Sequence, residues 1–240
     1  MSGEKILVVA NETNVRQILD THFSLSGYNT LLAKNGKDAL NLFYRTQPDL
    51  IILDLIIPET NGYEVCFEIR KVSSKPIIML VPQTKMMDNL VCLDLGADDI
   101  IQKPFSLKDI EARVKAILRR TKWSTLALKK TPLIQVVIGK LRVDLTKRQV
   151  FKFDKRVKLT GMEFNLLELL ISRSGEGLSR DFILDILWGY TQERYLDTRV
   201  IDVHISRLRS KLEDDPHTPR IILTIRGLGY MFQKFSQVSN

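Results

Sequence analysis

Short apolar runs alternate with amphipathic stretches along the first half of the chain. Strands are expected at Lys5–Ala10, Tyr28–Leu32, Asp49–Asp54, Pro76–Val81 and Asp99–Gln102. Between them, stretches of roughly 10–15 residues carry apolar positions at helical spacing, beginning near Thr13, Asn35, Gly62, Lys85 and Ser106. Such alternation predicts a parallel sheet with helices on both faces. Ile6–Val9, Leu50–Leu53 and Ile77–Leu80 are apolar without interruption, as strands buried on both faces should be. Chemistry in these sheets gathers beyond the C-terminal ends of the strands. That directs attention to residues 10–12, 54, 81–82 and 103.

The pattern changes in the second half. Thr121–Leu133 is polar and basic, lacks periodicity and contains Pro132, so it reads as a linker. The expected division is residues 1–121, a linker at 122–133, and a second domain over 134–240. Short strand-like pieces follow at Gln135–Ile138, Leu141–Asp144, Gln149–Phe153 and Val157–Leu159, broken by turn residues such as Gly139 and Asp154. Thr160 with Glu163 three residues on forms a capping box ahead of an apolar helix. Ser179–Leu187 and Asp197–Leu212 read as two further helices. Ile221–Ile225 and Tyr230–Phe235 flank Arg226-Gly227-Leu228-Gly229, a hairpin signature.

On the helix Asp197–Leu212, Ile201, Ile205, Leu208 and Leu212 form a core-facing stripe. Another face carries Arg199, Val203, Ser206, Arg207 and Ser210, with Arg209 and Lys211 on its flanks. Arginine grips guanine bidentately, serine bonds several base edges and valine touches the thymine methyl, so this set suits the DNA major groove. A solvated face would more often mix Glu with Lys. The hairpin adds Thr224, Arg226 and Tyr230 around a two-glycine turn, a geometry suited to the minor groove.

Charge supports a nucleic-acid partner. Residues 1–120 carry 15 basic and 15 acidic side chains, and residues 121–240 carry 21 and 13, so the net +8 lies wholly in the second half. A neutral half joined to a basic half suggests a control module on a polyanion-binding module. No apolar run reaches the roughly 18 residues of a membrane span, so no membrane partner is expected. Cys66 and Cys92 lie in apolar helical patterns and read as reduced core thiols of a cytosol-like compartment. An enzyme is the first rival reading. No Gly-rich phosphate loop follows the first strand, and His22, His204 and His217 form no cluster; all three read as surface residues. A second rival is an adaptor whose C-terminal domain binds polymerase instead of DNA.

"LTGMEFNLLELLISRSGEGLSRDFILDILWGY", "DTRVIDVHISRLRSKLEDDP" and "ILTIRGLGYMF" resemble the effector domain of OmpR/PhoB-type response regulators, in wording similar to the cyanobacterial and plastid branch. "DLIILDLIIPETNGYEV" and "GADDIIQKPF" resemble a response-regulator receiver. The resemblance implies a flavodoxin-like doubly wound (βα)5 receiver followed by an α+β winged helix-turn-helix. It implies DNA contacts at Arg199, Val203, Ser206, Arg207, Arg209, Thr224, Arg226 and Tyr230. It further implies binding of promoter repeats as a homodimer, RNA polymerase facing Trp188–Leu196, and a sensor histidine kinase as a partner. The branch admits the plastid stroma as a compartment.

The departures from that family weigh most. Asp54 stands at the phosphoacceptor position and Lys103 at that of the phosphoryl-neutralising lysine. The two acidic Mg²⁺ ligands of the family fall on Ala10 and Asn11, with Glu12 adjacent. The hydroxyl switch residue is Val81, and the aromatic switch residue is Ile100. A degenerate receiver with weak or no Mg²⁺-dependent phosphorylation is therefore expected. The alternative is a conventional receiver using Asp54 with a weakened metal site. The resemblance also places a symmetric dimer face on Asp98, Asp99, Asp109, Arg113, Lys115 and Arg120, with Asn89 replacing a basic residue on the fourth helix.

Overall fold

The computed structural model describes residues 3–83, 88–123, 135–188 and 198–234. The chain divides into two compact units, Met1–Leu118 and Arg119–Asn240.

In the first unit the strands are β1 (Lys5–Val9), β2 (Asn29–Ala33), β3 (Leu50–Asp54), β4 (Ile77–Pro82) and β5 (Asp99–Lys103). They form one parallel sheet in the order β2-β1-β3-β4-β5. The helices α1 (Thr13–Leu25), α2 (Gly36–Thr46), α3 (Gly62–Val72), α4 (Asp88–Asp94) and α5 (Leu107–Trp123) alternate with them. Every residue of β3 is buried, as its unbroken apolar run requires. Asn35 and Asn61 cap α2 and α3 by accepting from the backbone N–H of Asp38 and Glu64. Strand order 2-1-3-4-5 puts the ends of β1 and β3 side by side at the C-terminal edge, where the order reverses, with β5 one strand further beyond β4.

α5 runs on to Trp123, two residues into the expected linker. Nothing between Arg119 and Trp123 breaks a helix, and Pro132 comes too late to do so. The rest of the expected linker, from 124, lies outside the described residues, as do 189–196 of the expected polymerase-facing loop.

The second unit opens with an antiparallel sheet, β6 (Gln135–Ile138), β7 (Leu141–Asp144), β8 (Gln149–Lys152) and β9 (Lys155–Val157). The expected strand at Val157–Leu159 is thus displaced towards Lys155. Phe153 and Asp154 both take positive φ, 50° and 59°, and close a two-residue turn that pairs Lys152 with Lys155. The helices α6 (Gly161–Ser172), α7 (Arg180–Trp188) and α8 (Arg199–Leu212) follow. The wing is a three-stranded sheet ordered β10-β12-β11, from β10 (Leu178–Ser179), β11 (Ile222–Ile225) and β12 (Gly229–Phe232). Two-residue β10 has no periodicity to betray it in sequence. Its pairing brings Gly229 against the Leu178 carbonyl, where a Cβ would stand 2.2 Å from the oxygen. Only glycine fits that approach.

Candidate receiver pocket and nucleic-acid interface

The ends of β1, β3 and β5 meet around Asp54, whose side chain is 1% exposed. Lys103 Nζ lies 2.5 Å from Asp54 Oδ2 and 3.0 Å from Glu12 Oε1. The other Asp54 oxygen accepts the Ile56 N–H at 3.2 Å. Burial pushes the Asp54 carboxyl up, against the opposing pull of Lys103. Burial alone would lower Lys103, but Asp54 and Glu12 hold it above its ordinary value. The sequence left the reach of Glu12 undecided; folding brings it to the lysine.

Ala10 is buried and offers no side-chain donor. Asn11 is exposed, and its backbone oxygen, with that of Ala10, accepts Arg16 Nη1 at 2.6 Å. Both nearby carboxylates therefore face one ammonium, and the first-strand loop carries a guanidinium. Mg²⁺ demands a near-octahedral shell of hard oxygens and usually one or two carboxylates; this donor set fits it poorly. Among the described residues no group of three His, Cys, Asp or Glu side chains is placed to hold a metal. Val81 and Ile100 are buried apolar side chains at the two switch positions.

The charged residues of the expected dimer face are engaged within the chain. Asp98 is buried and accepts from Arg70 Nη2 at 2.6 Å and from the Ile77 N–H at 2.9 Å. Buried Arg113 reaches Asp99 at 3.0 Å, Asp109 at 3.1 Å and the Ile100 carbonyl at 3.0 Å. Lys115 pairs with Glu111 at 2.5 Å. Three residues of the expected dimer face thus have partners within the chain, Asp98 in Arg70 of α3 and Asp99 in Arg113, which packing of β5 against α5 brings together. The side chains of Asn89 and Arg120 lie outside the described residues.

In α8, Ile201, Ile205, Leu208 and Leu212 are buried, as the periodicity requires. Ser206 and Ser210 are exposed and Val203 is half-buried, while the side chain of Arg199 lies outside the described residues. At the wing tip Arg226 and Thr224 are exposed, and Gly227 supplies φ 76° for the turn. The other expected contacts are tied inward. Arg207 Nη2 meets Glu163 Oε1 at 2.8 Å, and Lys211 Nζ meets Glu163 Oε2 at 2.6 Å. Arg209 donates to the Ile222 carbonyl at 2.7 Å and to Thr224 Oγ1 at 2.8 Å, which links helix to wing. Tyr230 is buried; its hydroxyl donates to Asp202 at 2.7 Å and accepts from Arg180 at 3.2 Å. Burial and the Asp202 carboxylate push the Tyr230 phenol up.

Sequence reasoning missed Asp202 and Arg180, whose 2.7 Å ion pair joins α7 to α8 and which both bond the Tyr230 hydroxyl on the wing strand. A lone aspartate in a basic helix was the available signal. His204, expected at the surface, is buried against Trp188 at a ring separation of 5.4 Å. It lies on the helix turn beside Ile205 and Leu208, and the Trp188 ring draws it in. His22 is half-buried and bonds Glu111 at 3.0 Å.

Two family descriptions match the chain: "Response regulator receiver domain" over residues 6–115 and "Transcriptional regulatory protein, C terminal" over residues 154–232. The chain is 52% identical over 236 residues to the "probable transcriptional regulator ycf27" of Galdieria sulphuraria, covering 98% of this chain and 92% of that protein. It is also 52% identical over 236 residues to the ycf27 protein of Cyanophora paradoxa, covering 98% and 99%. Among solved structures, a RitR mutant superposes with a TM-score of 0.76 at 26% identity, over 97% of this chain and 100% of that one. DrrB, a Thermotoga maritima OmpR/PhoB homolog, gives a TM-score of 0.51 at 32% identity over the same shares.

Proposed function

The chain belongs to the OmpR/PhoB family of response regulators and is a transcriptional regulator with a DNA-binding C-terminal domain; from that premise we propose that it binds promoter repeats as a dimer independently of aspartyl phosphorylation. The observation that carries this reading is the Lys103 ammonium between Asp54 and Glu12. A receiver that phosphorylates itself needs a metal to gather the phosphoryl oxygens. Here Ala10 and Asn11 contribute no carboxylate, and the chain's own cation already balances Asp54. A phosphoryl group on Asp54 would find no hydroxyl at Val81, so the usual bias between two conformations has no handle. Mg²⁺ is accordingly not part of the proposed mechanism.

Val203, Ser206, Arg207 and Ser210 on α8, with Arg226 on the wing, form the proposed base-reading and minor-groove set; Arg199 joins them by its place in the motif. RNA polymerase and a second copy of the chain are the proposed protein partners, and a sensor histidine kinase remains one that would act by docking alone. Because the salt bridges of the expected dimer face are internal, the dimer is proposed to assemble on DNA.

The test is a fluorescence-anisotropy titration of the full chain against direct-repeat duplexes, with and without Mg²⁺ plus beryllofluoride. The expected result is tight, sequence-specific binding by two chains per duplex that shifts by less than about twofold with the mimic. A gain of about tenfold or more with the mimic would show a working phosphorylation site and overturn the proposal.

A further inference from the structure

Glu163 has one duty visible in the sequence. Its Oε2 accepts the Thr160 N–H at 2.8 Å, closing the capping box at the head of α6. A glutamine performs that duty as well as a glutamate. The cap therefore does not explain why a fully buried carboxylate also meets two cations from α8, Arg207 and Lys211. Nor does stability, since burying ions costs desolvation that well-packed apolar side chains avoid. Burial would raise this carboxyl, yet Arg207 and Lys211 hold it below its ordinary value, so the two α8 cations keep it charged.

Arg207 occupies the middle of the base-reading face. Exposed Ser206 precedes it, Val203 lies four residues before and Ser210 three after, on the same side of the helix. Its side chain is 12% exposed, with Nη2 2.8 Å from the buried Glu163 carboxylate. A free arginine must lose its rotamer freedom when it binds a base. An arginine paired through Nη2 with a buried carboxylate at 2.8 Å has lost much of that freedom on folding. Lys211 balances the second carboxylate oxygen, so the anchor brings no net negative charge towards phosphate.

We propose that Glu163 is a positioning residue for base recognition: it fixes the Arg207 guanidinium on the α8 face so that guanine in the major groove meets preformed donors. The inference rests on the reading of α8 as the groove-reading helix.

The experiment uses the full chain and a duplex that the wild-type protein selects from a randomised library. Each base pair of that duplex is then substituted in turn. Glu163→Gln is expected to lose about tenfold or more of discrimination at one guanine position. Affinity for unrelated DNA and its salt slope stay within about twofold. Glu163→Asp, which keeps the charge but withdraws the carboxylate by one methylene, gives the same loss and covers a Glu163→Gln chain that melts too low to assay. Arg207→Lys loses discrimination at the same position, and Lys211→Met does not. Retained discrimination in both Glu163 variants overturns the proposal. So does an equal weakening on cognate and unrelated DNA that follows the drop in melting temperature, which marks a purely structural pair. A wild-type chain that selects no sequence is a different failure, because it removes the groove reading itself and the inference with it.

Discussion

Replacing Lys103 with methionine removes the cation that pairs with a nearly fully buried carboxylate, Asp54. At 2.5 Å and an effective dielectric of about 20, the gross Lys103–Asp54 attraction is on the order of 7 kcal/mol, and desolvation of the two ions cancels most of it. In Lys103→Met the attraction disappears while Asp54 stays desolvated. The carboxyl escapes by taking a proton. At pH 7, on a group with an ordinary value of 3.8, that costs about 4.4 kcal/mol at about 1.36 kcal/mol per pH unit, which caps the damage. The expected destabilisation is therefore about 3–4 kcal/mol at pH 7. The sign of its pH dependence follows. The variant's folded carboxyl holds its proton above the unfolded value, so the penalty shrinks as pH falls, by about 1.4 kcal/mol per unit, and vanishes near pH 4. Asp54→Asn is the contrasting substitution. It leaves Lys103 partly solvated and still 3.0 Å from Glu12, and costs about 1 kcal/mol with no such slope. Hydrogen exchange of the β1 and β3 amides at several pH values reads these opening energies for the receiver unit alone. Equal penalties for the two variants, or a Lys103→Met penalty that ignores pH, would refute the reasoning.

Two further outcomes follow from the effector unit. Gly229→Ala drives a methyl into the Leu178 carbonyl, which must move by several tenths of an ångström, so the β10–β12 pairing should loosen at a cost of about 2 kcal/mol; an unchanged thermal melt sinks this. Glu163 has a folded value depressed below 4.5, so its stabilisation is full above 4.5 and is lost as pH falls through the folded value. The gap in melting temperature between wild type and Glu163→Gln should hold from pH 7 to 5 and close at lower pH, and a gap that widens on acidification contradicts the assignment.

Much of the architecture was legible because each element carries its own period or punctuation. The unbroken apolar runs of β1, β3 and β4 fixed a doubly covered parallel sheet, and Thr160 with Glu163 marked the head of α6. β10 was not legible, since two residues have no period. Phe153 belonged by composition to a strand and by backbone to a turn, because the hairpin needs two positive φ values at that point. In the pocket, the apolar identities of Ala10, Val81 and Ile100 are legible directly in the sequence. That Glu12 swings to Lys103 was not in the sequence, because 91 residues separate them.

The same division holds for the DNA-binding face. By itself the sequence determined which side of α8 is apolar, where the wing turns, and that the basic charge sits in the second half; these are local periodicities and sums. Only the tertiary structure decided which cations of α8 are spoken for. A helical wheel gives the angle of Arg207 and Lys211 but not the buried carboxylate of another helix, 48 residues from Lys211 in sequence, that pairs with both. It likewise shows Asp99 and Arg113 as charges on β5 and α5, and only packing joins them into an internal pair. Charge partners are chosen by proximity in three dimensions, where the interior's low dielectric makes each pairing decisive.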